Sequence, residues 1–184
     1  MASTVRRLDA LIHEFKNFAR EQRLELSEIH LPGFLAEVLA AWEPEATARR
    51  IDLVLDTRQS ITIRGDRDKL RRVLDNLVKN ALEAIDMGPG IVRIATAIPM
   101  PEKIAVIVED TGPGIPAGLD VFRLFETTKP NGTGLGLPIV RQIVVAHGGG
   151  IDFAGVQPHG TAFTIGLPSH GASLLRYANP GRGG

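Results

Sequence analysis

Cysteine is absent from the sequence, which excludes disulfide bonds and a thiol nucleophile. An excess of either charge is also absent, because 21 Lys and Arg residues balance 21 Asp and Glu residues and the formal net charge is zero. A protein that binds nucleic acid or a membrane surface through electrostatics usually carries a clear basic excess. We therefore expect no nucleic-acid partner for this chain.

Long hydrophobic runs are missing as well, and none approaches the roughly 20 residues that a membrane-spanning helix requires. The N-terminus has no apolar core of the signal-peptide type. The five histidines, at positions 13, 30, 147, 159 and 170, are scattered without the spacing of metal ligands. The 184 residues suffice for one domain with its own core. We expect a cytoplasmic chain without a membrane segment, which leaves open whether a longer parent protein is membrane-anchored.

Glycine, in contrast, is abundant, and it clusters at two places that are separated by a loop. The first cluster, Asp110–Ile115 (DTGPGI), follows a strand-like run at 103–108, and the second, Asn131–Leu137 (NGTGLGL), opens a helical pattern at 135–146. Glycine lets the backbone approach a ligand closely, and a helix N-terminus offers free N–H groups to an anion. The spacing fits neither the P-loop nor the Rossmann fingerprint. We interpret the clusters as a phosphate site beneath a mobile loop at 115–131, the alternative being glycines that only make turns.

A helical segment upstream of the glycine clusters carries two asparagines on one face. Residues 66–87 have apolar side chains at three- and four-residue spacing, and Asp66 is placed to cap the helix N-terminus. Asn76 and Asn80 are four residues apart and are therefore neighbours on the helix surface. An amide oxygen in this setting can ligate a hard cation such as Mg²⁺, which completes its shell with phosphates and water. The alternative is two ordinary amides on the surface of a helix.

Together these segments resemble the catalytic domain of the histidine kinase family, within the GHKL superfamily. The resemblance covers roughly residues 28–169, and the segment around Lys129 is most similar to the nitrogen-regulatory type of sensor kinase. The matching motifs, in the order expected for the family, are the N box at Asn76–Ala84 (NLVKNALEA), the G1 box at Asp110–Ile115, the F box at Val121–Phe125 (VFRLF), the G2 box at Gly132–Leu137 and a GTxF strand at His159–Phe163 (HGTAF).

The resemblance implies the Bergerat ATP-binding fold, an α+β two-layer sandwich in which a mixed sheet carries three helices on one face. It also implies ATP and Mg²⁺ as cofactors. By the same resemblance, Asn80 ligates the metal, Asp110 reads the adenine and Lys129 contacts the terminal phosphates. Phe122 and Phe125 are expected to hold the loop against the domain when nucleotide is bound. The nucleotide-binding residues that the resemblance implies are Asn76, Asn80, Asp110, Gly112, Gly114, Phe125, Lys129, Gly132, Thr133, Gly134, Leu135, Gly136, Leu137 and Thr161.

A single amphipathic helix is predicted at residues 4–24, ahead of the sandwich. His13 lies there in a segment (HEFKN) that resembles the phosphoacceptor motif of the family, but Pro32 follows it by only 19 residues. That distance leaves no room for the second helix of an acceptor hairpin, so we expect His13 not to be the acceptor and the acceptor histidine to lie outside this chain. The predicted division is the second helix of a dimerisation and phosphoacceptor hairpin at 1–27, the catalytic domain at 28–169 and a flexible tail at 170–184.

The resemblance also bears on whether the chain transfers the phosphoryl group of ATP or hydrolyses ATP. Hydrolytic ATPases of this fold carry a glutamate one turn before the metal-binding asparagine, where it activates water. This chain has Asn76 at that position, which favours transfer of the ATP γ-phosphate to a histidine, as in the catalytic domain of a sensor histidine kinase. The implied partners are the phosphoacceptor hairpin, a response regulator receiver domain and, for the full-length protein, a second copy. No residue is assigned as catalytic beyond the phosphate contact of Lys129, and an anti-sigma-type serine kinase and a non-catalytic nucleotide-sensing module are the alternatives.

Two local features are predicted from pattern alone. Residues 51–55 and 60–64 alternate as strands, and we expect a hairpin to connect them. A second hairpin is expected between 151–156 and 161–167. His147 precedes two glycines at the end of the last helix, where we expect it to act as a cation that favours the helix C-terminus.

Overall fold

The computed structural model describes residues 23–57, 60–85, 88–127, 129 and 132–169. The predicted helix at 4–24, His13 and the predicted tail at 170–184 lie outside this part of the chain, apart from Arg23 and Leu24, which are not helical. In chain order the elements are β1 (Ser27–His30), α1 (Leu31–Arg49), β2 (Ile51–Asp56), β3 (Thr62–Gly65), α2 (Arg67–Ile85), β4 (Gly90–Met100), β5 (Lys103–Asp110), α3 (Gly136–Ala146), β6 (Gly150–Gly155) and β7 (Thr161–Pro168).

Five of the strands form one mixed sheet in the order β2-β4-β5-β7-β6. The β2–β4 pair is parallel and the other three pairs are antiparallel. The three helices cover one face of this sheet, with the core between the two layers, as the buried side chains from Ile29 to Leu167 show. The predicted α+β two-layer sandwich with a mixed sheet and three helices is confirmed, as is the hairpin of β6 and β7. No helix within the described residues combines the length and the hydrophobicity needed to cross a membrane.

The predicted hairpin between β2 and β3 is wrong. Strand β2 pairs in parallel with β4, starting at Ile51 opposite Gly90, whereas β3 pairs with β1 in a separate two-stranded antiparallel sheet that places Ile63 opposite Ile29. Ile29 and Ile63 are buried in the same hydrophobic core as the side chains of the five-stranded sheet. Alternation along a strand identifies the face that is buried, but it does not identify the strand that lies alongside.

Helix α2 follows its predicted pattern closely. The N–H of Lys69 donates a hydrogen bond of 3.0 Å to the Asp66 carboxylate, which confirms Asp66 as the N-cap. Asn76 and Asn80 are half-buried beside the apolar stripe. The buried members of that stripe are Leu70, Val73, Leu74, Leu77, Val78, Ala81 and Leu82.

His147, at the C-terminal end of α3, makes two hydrogen bonds with its ring. Its Nδ1 donates to the carbonyl of Ile143 at 2.8 Å, and its Nε2 accepts from the backbone N–H of Asp66 at 3.0 Å. A nitrogen that accepts carries no proton, so the ring is neutral in this arrangement. His147 thus caps the C-terminus of α3 as predicted, but its predicted role as a cation is wrong, because its Nε2 accepts a hydrogen bond from the start of α2.

Candidate nucleotide-binding site

The predicted site residues converge on the polar face of α2. Gly112 of the G1 box packs against this helix, since a Cβ there would lie 3.1 Å from the Cβ of Ala84. The start of α3 lies beside the same face, since a Cβ at Gly136 would lie 3.0 Å from Oδ1 of Asn76. Strand β7 brings Thr161 opposite Asp110 of β5. The four motif segments thus surround one region between α2, the end of β5 and the N-terminus of α3.

Asp110 is a buried carboxylate at the end of a central strand, with 4% of its surface exposed. Burial raises its pKa above the ordinary value, although hydrogen bonds from the backbone N–H groups of Gly112 and Thr161 act in the opposite direction. The bond from Gly112 to Oδ1 measures 2.8 Å. A buried carboxylate needs further donors, and an exocyclic amino group of a purine can supply one.

The glycine at position 112 is required by close approach. A Cβ there would lie 2.9 Å from Oδ1 of Asp110 as well as against Ala84, so any side chain would displace the carboxylate or the helix.

His159 supports the same turn, because its Nδ1 donates to the carbonyl oxygens of Thr111 at 3.0 Å and Gly112 at 3.2 Å. Sequence reasoning gave His159 no role of its own, because its contact with the G1 turn joins segments far apart in the chain.

The two asparagines of α2 have different partners. Asn76 donates from Nδ2 to the carbonyl of Arg72 at 2.8 Å, and its Oδ1 faces the first residue of α3. Asn80 accepts at Oδ1 a hydrogen bond of 3.1 Å from the ammonium group of Lys129. The oxygen predicted to meet a metal ion therefore already faces a positive charge.

Lys129 makes a second contact that the sequence did not predict. Its ammonium group lies 2.5 Å from Oε2 of Glu83, which belongs to the same face of α2 as Asn80. The Asn80-x-x-Glu83 spacing is visible in the sequence and makes the two side chains neighbours. The N-box pattern drew attention to the asparagines only, so Glu83 was missed.

The loop between β5 and α3 is anchored by one of its two phenylalanines. The Phe122 ring lies 6.2 Å from that of Phe153, and the guanidinium of Arg141 lies 5.7 Å from its centroid. Phe125 is 58% exposed and has a φ of 65°. It contacts the G2 segment through its backbone, because its N–H donates to the carbonyl of Gly134 at 3.0 Å. The expected packing of Phe125 in the presence of nucleotide stays a prediction.

The G2 segment leads directly into the N-terminus of α3. Gly134 has a φ of 67°, and a Cβ there would lie 2.4 Å from the carbonyl carbon of Phe125. The hydroxyl of Thr133 accepts from the N–H of Leu135 at 3.3 Å. The Leu135 side chain is fully buried, so only its backbone can meet a ligand. The first turn of a helix has N–H groups without intrahelical acceptors, which suits a phosphate. Three further predicted residues lie near these segments. The N–H of Gly132 donates to the carbonyl of Lys129 in a turn, and Gly114 lies close to the carbonyl of Gly160. Leu137 is half-buried in the first turn of α3.

No cluster of three or more His, Cys, Asp or Glu side chains that suits a metal ion occurs among the described residues. A metal ion that relies on a single protein oxygen and on phosphates would leave no such cluster. The position that carries a water-activating glutamate in hydrolytic relatives of the fold holds Asn76, which donates to its own helix and has no basic group. At the position of Asn76, therefore, the chain has an amide in place of a carboxylate base.

Comparison with known proteins agrees with this geometry. Residues 65–171 match the family model described as histidine kinase-, DNA gyrase B- and HSP90-like ATPase. Sensor histidine kinase ZraS of Escherichia coli strain K12 is 34% identical over 171 residues, which are 91% of this chain and 36% of that protein. Sensory histidine kinase/phosphatase NtrB of Azospirillum brasilense is 34% identical over 178 residues, covering 88% of this chain and 44% of that protein. The chain thus spans less than half of these curated relatives.

Solved structures of the histidine kinase ThkA have the same fold. Its isolated catalytic domain in a nucleotide-free form superposes with a TM-score of 0.72 at 35% identity, covering 79% of this chain and 98% of that domain. ThkA in complex with the response regulator TrrA gives a TM-score of 0.78 at 31% identity, over 91% of this chain and 49% of the kinase. The chain therefore belongs to the family of histidine kinase-, DNA gyrase B- and HSP90-like ATPases, and within it to the ATP-binding catalytic domains of histidine kinases.

Proposed function

We infer that this chain binds Mg-ATP and passes the γ-phosphate to a histidine on a helical hairpin, as the catalytic part of a two-component sensor kinase. The observation that carries this inference is the combination of a buried Asp110 with Asn80 and Asn76 on the adjacent helix face. A hydrolytic ATPase of this fold needs a carboxylate where this chain has Asn76. At this position the chain offers an amide instead, which supports transfer to a separately held acceptor over hydrolysis.

Adenine recognition is assigned to Asp110. Its carboxylate accepts from the N–H of Gly112 at Oδ1, and a carboxylate has further lone pairs with which to accept from the adenine amino group. Guanine presents a carbonyl oxygen at the corresponding position, which would face the carboxylate with no hydrogen between them. Asp110 therefore selects ATP over GTP.

The residues present fit a magnesium ion at Asn80. Its Oδ1 meets the ammonium of Lys129, so this oxygen faces a position that accommodates a cation. Mg²⁺ at this amide would neutralise phosphate charge, while the other groups come from the chain itself. The N–H groups at the start of α3 and the hydroxyl of Thr133 would hold phosphate oxygens, and Lys129 would contact the terminal phosphates. These contacts would hold the γ-phosphate for in-line attack by an imidazole nitrogen, with ADP as the leaving group.

The acceptor and the partner are assigned by family. We place the acceptor histidine on a hairpin outside this chain rather than at His13, and a response regulator receiver domain as the next recipient. The support for the second assignment is the complex of ThkA with its response regulator. A dimeric full-length protein is part of the same proposal.

The test is incubation of the full chain with Mg-ATP labelled at the γ-phosphate. The proposal predicts bound ATP, slow release of inorganic phosphate and no acid-labile phosphate on the chain. Rapid release of phosphate would contradict it and indicate a hydrolytic ATPase. Label that is lost in His13→Ala would show that His13 is the acceptor, which would overturn the assignment of the acceptor to another segment.

A further inference from the structure

Two neighbouring oxygens of α2 hold the ammonium group of Lys129. The amide Oδ1 of Asn80 lies 3.1 Å and the carboxylate Oε2 of Glu83 lies 2.5 Å from the lysine Nζ. The lysine comes from the loop between β5 and α3, more than 45 residues away in sequence from either partner. This contact therefore ties the loop to the helix that carries the proposed metal ligand.

The ammonium group belongs to the proposed site, because it donates to Asn80, the residue assigned to the metal ion. Burial raises the pKa of Asp110, and the positive charge of Lys129 is one of the smaller influences that lower it. The lysine side chain is 38% exposed and the carboxylate of Glu83 is 31% exposed. Lys129 thus reaches from the loop to the face of α2 beside which ATP is proposed to bind.

An ammonium group and a hydrated divalent cation bind to the same kinds of oxygen atom. Both are compact, strongly hydrated positive charges, and both prefer amide and carboxylate oxygens. Glu83 has a second lysine nearby, but Lys79 lies 3.9 Å away and is 60% exposed. The short contact of Glu83 is with Lys129, and it is the one that brings a cation to Asn80.

We propose that Asn80 and Glu83 form a two-oxygen cation seat, which Lys129 fills in the nucleotide-free chain and yields to the divalent cation when nucleotide binds. This inference rests on the proposed function, because it assigns the seat to the cation of Mg-ATP. Glu83 is then a positioning residue that holds Lys129 of the loop against α2 before Mg-ATP binds. After the exchange, the divalent cation occupies the seat and Lys129 is free to turn towards the terminal phosphates.

The first measurement uses Mn²⁺ alone on the nucleotide-free chain, with line broadening of the Asn80 side-chain amide as the NMR readout. Lys129→Met removes the resident competitor and should lower the Mn²⁺ concentration for half-maximal broadening about fivefold. Lys79→Met is the matched control, because it removes a positive charge near Glu83 without opening Asn80. An equal shift in both variants, or no shift in either, would overturn the proposal.

The second measurement is hydrogen exchange of the loop amides, again without nucleotide. Glu83→Gln should speed exchange at Lys129 and Gly132 about fivefold, because the loop loses its ionic tether. Glu83→Asp should restore part of the protection, and Lys79→Met should leave it unchanged. Unchanged exchange in Glu83→Gln would refute the tether. Neither measurement contains nucleotide, so failure of the wild-type chain to bind ATP would count against the proposed function and not against the cation seat itself.

Discussion

The backbone N–H of Asp66 donates a hydrogen bond to Nε2 of His147, which joins the start of α2 to the end of α3. The Asp66 carboxylate in turn accepts from the N–H of Glu25 at 2.9 Å, and Lys69 donates to the carbonyl of Arg23 at 2.6 Å. The chain that enters the domain is therefore held at the same point where the two site helices meet. The proposed site residues lie away from this junction in both helices, with Asn76 and Asn80 later in α2 and Gly136 at the start of α3, so the junction links the two helices outside the site.

His147→Ala should destabilise the chain by about 1–3 kcal/mol, because it leaves the N–H of Asp66 without its partner, whereas the carbonyl of Ile143 keeps the hydrogen bond from the backbone N–H of residue 147. Urea unfolding at neutral pH measures the effect. His30→Ala is a suitable control, since the hydrogen bond between the His30 ring and Ser60 is exposed to solvent. A loss of stability no larger than that of the control would show that the bridge contributes nothing.

Asp66 should make the stability of the chain depend on pH in the acid range. Burial acts to raise its pKa, but the hydrogen bonds from Glu25 and Lys69 outweigh burial and hold the pKa below the ordinary value. A carboxyl group with a lowered folded pKa stabilises fully above its unfolded pKa of about 4, and this contribution disappears as pH falls through the folded value. The stability advantage of the wild type over Asp66→Asn should therefore be constant from pH 7 to about 5 and shrink below about 4 in urea titrations. An advantage that persists unchanged at pH 3 would contradict this expectation.

Asp110→Ala should reduce ATP affinity by about 10- to 100-fold and abolish the preference for ATP over GTP, because a charge-assisted hydrogen bond is lost. Since burial raises the pKa of Asp110, its carboxylate takes up a proton at a higher pH than an ordinary Asp. Wild-type ATP affinity should consequently fall on acidification before the pH reaches about 4, while the weak binding of Asp110→Asn stays flat. Calorimetric titration at several pH values, with circular dichroism to verify folding, measures both. Equal ATP and GTP discrimination in wild type and variant would remove the assignment.

Asn80→Ala should abolish most of the gain in ATP affinity that Mg²⁺ provides, because it removes the oxygen assigned to the metal. The relevant quantity is the ratio of ATP dissociation constants with and without Mg²⁺, which separates metal binding from nucleotide binding. Lys79→Ala, one residue earlier on the exposed side of the helix, should leave this ratio unchanged. A ratio in Asn80→Ala equal to that of the wild type would place the metal elsewhere.

Gly112→Ala should destabilise the chain by about 1–3 kcal/mol and weaken ATP binding, because its Cβ would press on Asp110 and Ala84 in a packed region. Gly150→Ala is the matched control, since a Cβ there meets nothing within 4 Å. Urea unfolding and ATP titration of the two variants separate steric pressure from the general effect of replacing glycine. Identical behaviour of the two would mean that the G1 turn relaxes freely.

The sequence predicted those features that depend on neighbours in the chain. The cap at Asp66, the stripe of α2 and the order of the motifs all follow from local spacing, and the structure confirms the cap, the stripe and the sandwich. The partner of β3 was predicted wrongly, because strand pairing depends on which distant segments share a core. Glu83 and His147 acquire their roles from contacts that span 46 and 81 residues, and no local pattern encodes these distances.

The pairing of β1 with β3 has a consequence for where a minimal folding unit begins. The family match starts at residue 65, yet Ile29 of β1 and Leu35 and Val38 of α1 are fully buried in the shared core. A chain that started at residue 65 would keep every nucleotide-binding motif but would lack the buried side chains that β1 and α1 contribute to the hydrophobic core. We therefore expect a piece that folds by itself to include β1 and α1, and the hydrogen bond from the N–H of Glu25 to the Asp66 carboxylate favours a start at or before residue 25.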